Sequence, residues 1–328
     1  MDAQSRKGLI LRRLAWGVAV SLVVGWPSMA TAQPASVHQS LTTAVAAATP
    51  VNGLLLFRRS GDLYTVRADG TGVRRLTTTG GVSSGQWSPD GSRIALTRAG
   101  DVYTMTSSGT GLQRVTTHAA SDDSPTWSPD GGQLAFHSNR RGTTDVYRIK
   151  SSPPYGTPVR LTTSGTALPG SYCDFDDFRS PRWNPVNHTI ALIHVCGYEY
   201  EQDDPLLEFV NASDGSPVAG TPSRLATAVE WAPRGTKLAY TNSPAYYDEY
   251  PYYRIYQTTV EGTASNLVAP CTTSACNISV DATSPTWAPD GTRIAYQGRN
   301  GSIWLAKPDG SIQTFLLSNG TPLDWKAQ

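Results

Sequence analysis

A repeated pentapeptide, the strand pattern behind it and two chain ends that complete one another predict an all-β chain. The fold they specify is a six-bladed β-propeller of four-stranded antiparallel blades, its ring closed by pairing the C-terminal strand with the N-terminal blade.

The pentapeptide is Trp-Ser-Pro-Asp-Gly at 87–91 and again at 127–131, with Trp-Ala-Pro-Asp-Gly at 287–291. Proline presets φ for the first corner of a turn, aspartate suits the second, and glycine accepts the left-handed conformation that closes a type I turn with a bulge. Degenerate copies stand at 183–187 and 231–235. In the first of these, Asn187 occupies the glycine position and is expected to take the same left-handed φ.

Behind each turn comes a short apolar run: Ile94-Ala95-Leu96, Leu134-Ala135-Phe136 and Ile294-Ala295-Tyr296. A third extended segment follows at Asp101-Val102-Tyr103, Asp145-Val146-Tyr147 and Ser302-Ile303-Trp304. A Gly-rich turn then leads to a closing strand such as Leu112–Thr116, which makes four strands per unit. Five units open at Trp87, Trp127, Trp183, Trp231 and Trp287. Residues 53–78 supply strands two to four of a sixth, and its missing Trp strand lies at the other end of the chain, at Trp325. Joining the ends removes an exposed edge. The six tryptophans recur at one point of every unit, as packing between blades requires.

Trp-Ser-Pro-Asp-Gly, then Ile-Ala, then Asp-Val-Tyr resembles the propeller repeat of the TolB family, soluble periplasmic proteins of the Tol-Pal envelope system. The resemblance spans about residues 53–328. TolB proteins carry an α/β domain before the propeller; residues 33–52 are too short for one and read as a linker.

Residues 1–32 have the three parts of a secretory signal peptide. Arg6, Lys7, Arg12 and Arg13 form the basic region, 14–26 the apolar region, and Ala30-Thr31-Ala32 the cleavage site. The apolar run falls short of the roughly 20 residues that span a bilayer, so no membrane span is expected after cleavage. Removing four basic residues and one acidic residue from 27 and 26 leaves 23 and 25, a mature charge of −2. With 16% charged residues and no basic run interleaved with aromatics, nucleic acid is not an expected partner. The expected location is periplasmic or secreted, and the expected state monomeric.

All four cysteines, Cys173, Cys196, Cys271 and Cys276, lie in the exported part. An even count in an oxidising compartment reads as disulfides. Of three possible connectivities the propeller frame favours Cys173 with Cys196 and Cys271 with Cys276. Zinc is the lesser reading, because no histidine stands at ligand spacing beside them.

Connections one-two and three-four of every blade are short and leave one face plain. Long connections decorate the other face, and loops of that length in a compact repeat are usually functional or disordered. Two of them interleave Tyr198, Tyr200, Tyr246, Tyr247, Tyr250, Tyr252 and Tyr253 with acids that include Asp203, Asp204, Asp248 and Glu249. Tyrosine offers rigid contact area with a polar tip, so this acidic-aromatic rim, extended by Asp122, Asp123, Asp174, Asp176 and Asp177, is the candidate ligand site. The expected ligand is an envelope or extracellular protein, a peptide, a cationic group or a glycan. Asp174, Asp176 and Asp177 also offer hard oxygen ligands for calcium, without the ligand order of an EF-hand; otherwise no cofactor is expected.

Residues 81–85 match the Gly-x-Ser-x-Gly pattern of a hydrolase nucleophile, but they precede a blade's first strand rather than a helix. The five histidines form no metal-spaced group. The chain thus reads as a non-catalytic binding or scaffolding module. The alternative is a lyase or hydrolase acting on polysaccharide through carboxylates such as Asp123, Asp177 and Asp281.

Overall fold

The computed structural model describes residues 52–164, 175–198, 201–219, 221, 224–242, 253–262, 265–269, 283–298 and 301–328. Within them lie 24 strands in six antiparallel four-stranded sheets. The first blade contains β1 (Asn52–Arg59), β2 (Asp62–Arg67) and β3 (Arg74–Arg75). The second runs β4 (Val82–Trp87), β5 (Arg93–Arg98), β6 (Asp101–Thr106) and β7 (Gln113–Arg114). The third runs β8 (Asp122–Trp127), β9 (Gln133–Ser138), β10 (Asp145–Lys150) and β11 (Val159–Arg160). The fourth is β12 (Phe175–Trp183), β13 (Thr189–Tyr198), β14 (Glu201–Asn211) and β15 (Arg224–Leu225). The fifth is β16 (Ala228–Trp231), β17 (Lys237–Asn242), β18 (Arg254–Thr259) and β19 (Ser265–Ala269). The sixth is β20 (Thr283–Trp287), β21 (Ile294–Gln297), β22 (Ile303–Ala306) and β23 (Gln313–Leu317). β24 (Thr321–Ala327) returns to the first blade, where Trp325 stands opposite Leu55 on β1. Among the described residues no helix is long and apolar enough to cross a membrane.

Six apolar clusters hold the ring, each shared by neighbouring blades. In one, Ala95, Val102 and Val115 of the second blade meet Trp127, Leu134, Phe136 and Tyr147 of the third. In another, Leu55, Phe57 and Trp325 of the first meet Ala295, Ile303 and Leu305 of the sixth. A single blade has two apolar faces, so only its neighbours can complete its core. Asn52 adds a polar clasp at the closure: its Nδ2 donates to Asp290 Oδ2 at 2.8 Å.

The turns form as their residues require, with one exception. Gly91, Gly131, Gly235 and Gly291 all take positive φ, between 67° and 72°. Asn187 does not. Two side chains hold its turn instead: Asn184 Oδ1 accepts from Val186 N and Asn187 Oδ1 from Thr189 N, both at 2.9 Å. Asparagine's local hydrogen bonding, rather than its tolerance of a left-handed backbone, preserves the turn.

A second local motif recurs in the innermost strands. Ser124, Ser180 and Ser284 each precede a proline, take φ of 50–55°, and stand where the pairing register shifts. Proline is tolerated there because an innermost strand has a free edge facing the ring axis.

The Asp of the third strand anchors the fourth. Asp62, Asp101 and Asp145 pair with Arg75, Arg114 and Arg160 at 2.5–2.7 Å. Two residues beyond each arginine, Thr77, Thr116 or Thr162 accepts the N–H of the residue after that Asp at 2.9 Å. Asp145 is inaccessible to solvent and also accepts from Ser164 N at 2.8 Å. Replacing Asp145 with Asn is expected to cost about 2 kcal/mol, because an amide cannot satisfy all the donors converging there. Urea unfolding measures it, and a loss below 0.5 kcal/mol, about the effect of an ordinary surface change, would assign the latch no energetic role.

Candidate functional site

The first strands of all six blades surround the axis, and their free edges expose backbone N–H groups that need acceptors. The residue before the tryptophan supplies them in four of the six blades. Asp324 Oδ2 accepts from Trp87 N at 2.7 Å, Gln86 Oε1 from Trp127 N at 2.9 Å, and Thr126 Oγ1 from Trp183 N at 3.0 Å. Each bond joins one blade to the next. Arg182, next in the ring, has no acceptor to offer, and there Glu230 Oε1 takes Trp231 N at 3.2 Å. Thr286 and Asp324 complete the belt, with Asp324 Oδ1 accepting from Trp325 N at 2.7 Å.

Above this belt, on the face carrying the short Pro-Asp-Gly turns, opens a cavity of about 540 Å³. All six repeat tryptophans line it, with Pro89, Pro129, Pro185, Pro233 and Pro289 at its rim and Glu230, Thr286 and Asp324 at its floor. The tryptophans are only 4–6% exposed, so they belong to the blade interfaces while still lining the cavity. Lys326 also lines it, with Nζ 4.7 Å from the Trp87 ring centroid.

Electrostatics on the floor are unusual. Arg182 Nε donates to Glu230 Oε2 at 2.8 Å, whereas Asp324 forms no ion pair within 4 Å among the described residues and feels the Arg182 charge only at longer range. Burial pushes the Glu230 carboxyl up to about 7 against the opposing Arg182 charge, and Asp324 adds to the rise. Burial likewise raises Asp324 to about 6, against the Trp87 and Trp325 N–H groups. Between the two acids in ring order stands Thr286, 1% exposed, its hydroxyl without a hydrogen-bond partner.

A second polar cluster lies at the opposite end of the inner strands. Asp123 accepts from Ser83 Oγ and Ser84 Oγ at 2.8 Å each and from Ser124 N. Burial works to raise its pKa, but these donors and His137 lower it below the usual range. His137 Nδ1 accepts from Ser180 N at 3.3 Å, and burial depresses its pKa. The serines therefore donate to a carboxylate, not to a histidine, which is not the geometry of an activated nucleophile. Residues 81–85 lead into and form part of β4, with no helix after them among the described residues.

The other sequence candidates fall in separate places. Asp122 is fully buried and paired with Arg140 at 2.8 Å. Asp176 is 2% exposed and meets His194 Nε2 at 2.8 Å, while Glu208 meets Nδ1 at 3.0 Å. Burial acts to lower the His194 pKa, but Glu208 and Asp176 raise it above the ordinary value. Asp177 pairs with Arg179 and accepts from Thr144 N at 2.8 Å. Asp176 and Asp177 are adjacent on β12 and point to opposite faces, so these two do not converge on one calcium ion. No group of three or more potential metal ligands occurs among the described residues. Tyr253 is 36% exposed, and Cys196 is buried on β13. Asp174, Tyr200, Tyr246, Tyr247, Asp248, Glu249, Tyr250, Tyr252, Asp281, Cys173, Cys271 and Cys276 lie outside the described residues, as do the side chains of Tyr198, Asp203 and Asp204.

The polar residues on this cavity floor were not among the sequence candidates. A signal was present: the residue before the repeat tryptophan is Gln, Thr, Arg, Glu, Thr and Asp in turn. Variation at that one position, while its neighbours repeat, marks a surface that packing alone does not dictate.

Comparison with known proteins agrees with the architecture. Residues 79–194 match the family model of the TolB beta propeller domain. TolB from Acinetobacter baumannii superposes with a TM-score of 0.62 at 18% identity, over 83% of this chain and 65% of that one. The chain thus spans just under two thirds of that protein's length. A TolB-assigned structure from Agrobacterium tumefaciens gives 0.59 at 17% identity, over 83% and 91%. A chain of a nidogen/laminin complex gives 0.60 at 10% identity, over 83% and 97%. At these identities the superpositions speak for the fold alone, and no curated protein matches by sequence. The chain is thus a closed six-bladed β-propeller whose residues 79–194 match the TolB propeller family.

Proposed function

We propose that the chain is an exported, non-catalytic binding or scaffolding module of the cell envelope or extracellular space, and that the axial cavity is where it takes its ligand. The observation that carries this reading is a cavity of about 540 Å³ walled by six tryptophans and floored by polar groups, a size and composition typical of ligand pockets. Aromatic walls with few polar anchors suit a peptide segment of a partner protein. The match of residues 79–194 to the TolB propeller family supports a protein partner. Residues 1–32 as signal peptide, 33–52 as linker, and disulfides between Cys173 and Cys196 and between Cys271 and Cys276 belong to the same proposal. The tyrosine-rich rim is a second contact area, and Asp123 and Asp177, the carboxylates named for an enzyme, are engaged by serines and by Arg179.

The test is capture of envelope proteins on the purified exported chain, beside two variants. Pro129→Trp with Pro233→Trp narrows the cavity mouth; Tyr246→Ser, Tyr247→Ser and Tyr250→Ser strip the rim. A protein retained by the parent and lost only on the mouth variant supports the axial site. Loss only on the rim variant moves binding to the loops, and turnover of a polysaccharide by the parent would replace the reading with the enzyme.

A further inference from the structure

We propose that the cavity floor is a receptor for an organic cation, the ammonium or guanidinium of a lysine or arginine side chain, seated between Glu230 and Asp324 and hydrogen-bonded to Thr286. This rests on the axial-cavity reading and specifies the chemistry of its ligand.

Three observations meet at this point. Two carboxyl groups line the axial cavity, and the neighbouring Arg182 guanidinium pairs with Glu230 and donates to the Pro181 carbonyl, forming no ion pair with Asp324. A buried acid without a directly paired cation is a costly arrangement, which an incoming positive charge relieves. The Thr286 hydroxyl lies in the same floor, buried and unpartnered. A buried polar group is ordinarily satisfied, and this hydroxyl can accept a hydrogen bond from an ammonium. Of the wall tryptophans, Trp87 has a ring face that is seen to take a cation, the geometry in which tryptophan attracts positive charge. Lys326 already sets its ammonium against Trp87 within the same cavity.

A metal ion fits this floor less well. Calcium takes six to eight oxygen ligands; here Glu230 is committed to Arg182, and both Asp324 oxygens accept backbone N–H groups. A single ammonium needs only a few acceptors and gains from aromatic walls. The charges facing the site are Arg182, Lys326 and Asp90, besides the two acids themselves. Binding a cation there displaces a proton from the raised carboxyl pair, so affinity is expected to fall as the pH drops from 8 to 5.5.

The experiment titrates the full exported chain with the tripeptide acetyl-Gly-Lys-Gly-amide, its norleucine counterpart and calcium chloride, following tryptophan emission and heat at pH 8 and pH 5.5. The lysine peptide should bind saturably at pH 8, at least tenfold more tightly than the norleucine peptide, and at least tenfold more weakly at pH 5.5. Asp324→Asn should weaken it at least tenfold. Thr286→Val, nearly isosteric and less disturbing to the fold, should weaken it severalfold; circular dichroism confirms that both variants are folded. Equal binding of the norleucine peptide would overturn the cation receptor while leaving the cavity reading intact. A response to calcium alone would overturn it in favour of a metal. Absence of any response would also overturn it, and the capture experiment then decides separately on the cavity.

Discussion

Replacing Trp231 with alanine is expected to lower the unfolding free energy by about 3–5 kcal/mol, the usual cost of removing a large buried aromatic side chain. Trp231 is 4% exposed and packs with Ala191, Ile193, Phe209 and Tyr240 across the junction of the fourth and fifth blades. Its ring meets Phe209 edge-on at 5.8 Å, and its Nε1 donates to the Arg182 carbonyl at 2.8 Å. Truncation thus empties the blade interface and strands a backbone acceptor beside the cavity. Val186→Ala, at a position 60% exposed, serves as the reference and should change stability by less than about 0.5 kcal/mol. Urea unfolding with an unchanged slope measures both. Equal, small effects would show that Trp231 serves the cavity wall and not the core.

The blade was legible in the sequence because its signals are local. Pro89-Asp90-Gly91 fixes a turn whatever surrounds it, and Asp90 tightens that turn by accepting from Ser88 Oγ and from Ser92 N and Oγ, which hold its pKa down to about 2. Ring closure was legible too, since residues 53–78 lack a strand that only Trp325 could complete. The third-strand aspartates stood in plain sight but read only as strand starts. Their pairing with Arg75, Arg114 and Arg160 depends on side chains meeting across a two-residue fourth strand, too short to register as periodic. Asn187 was misread because asparagine has two ways to support a turn, and sequence does not choose between them.

The floor was hidden for a different reason. Arg182, Glu230, Thr286 and Asp324 are each unremarkable in their own blade, one polar residue before a tryptophan. Only closure of the ring brings Asp324 within 2.7 Å of Trp87, 237 residues away. Loop length, the cue that drew the reading to Tyr246 and its neighbours, reports where sequence is free to vary. It is silent about a site assembled from the rigid inner strands.

The last prediction uses the acid on that floor. Burial holds the folded-state pKa of Asp324 at about 6, above its unfolded value of about 4. The folded chain therefore binds more protons than the unfolded chain between these values, and stability falls as pH rises through them. Protonated Asp324 is compatible with its enclosed site at pH 4; ionised Asp324 at pH 8 carries a penalty on the order of 3 kcal/mol, from roughly two pKa units at about 1.4 kcal/mol each. Water reaching the cavity makes this an upper figure. Asp324→Asn cannot ionise, and although it loses one acceptor for Trp87 or Trp325, that loss is the same at every pH. The variant should thus gain on the parent by as much as about 2.5 kcal/mol between pH 4 and pH 8, most of it between pH 4 and pH 6. Urea unfolding of both chains at several pH values gives the difference directly. A flat difference would mean that Asp324 ionises as an ordinary surface carboxyl, and would remove the electrostatic reason for the floor to seek a cation. A rising one would show that the fold retains an unneutralised charge at its axis, at a cost in stability that a cationic ligand is fitted to recover.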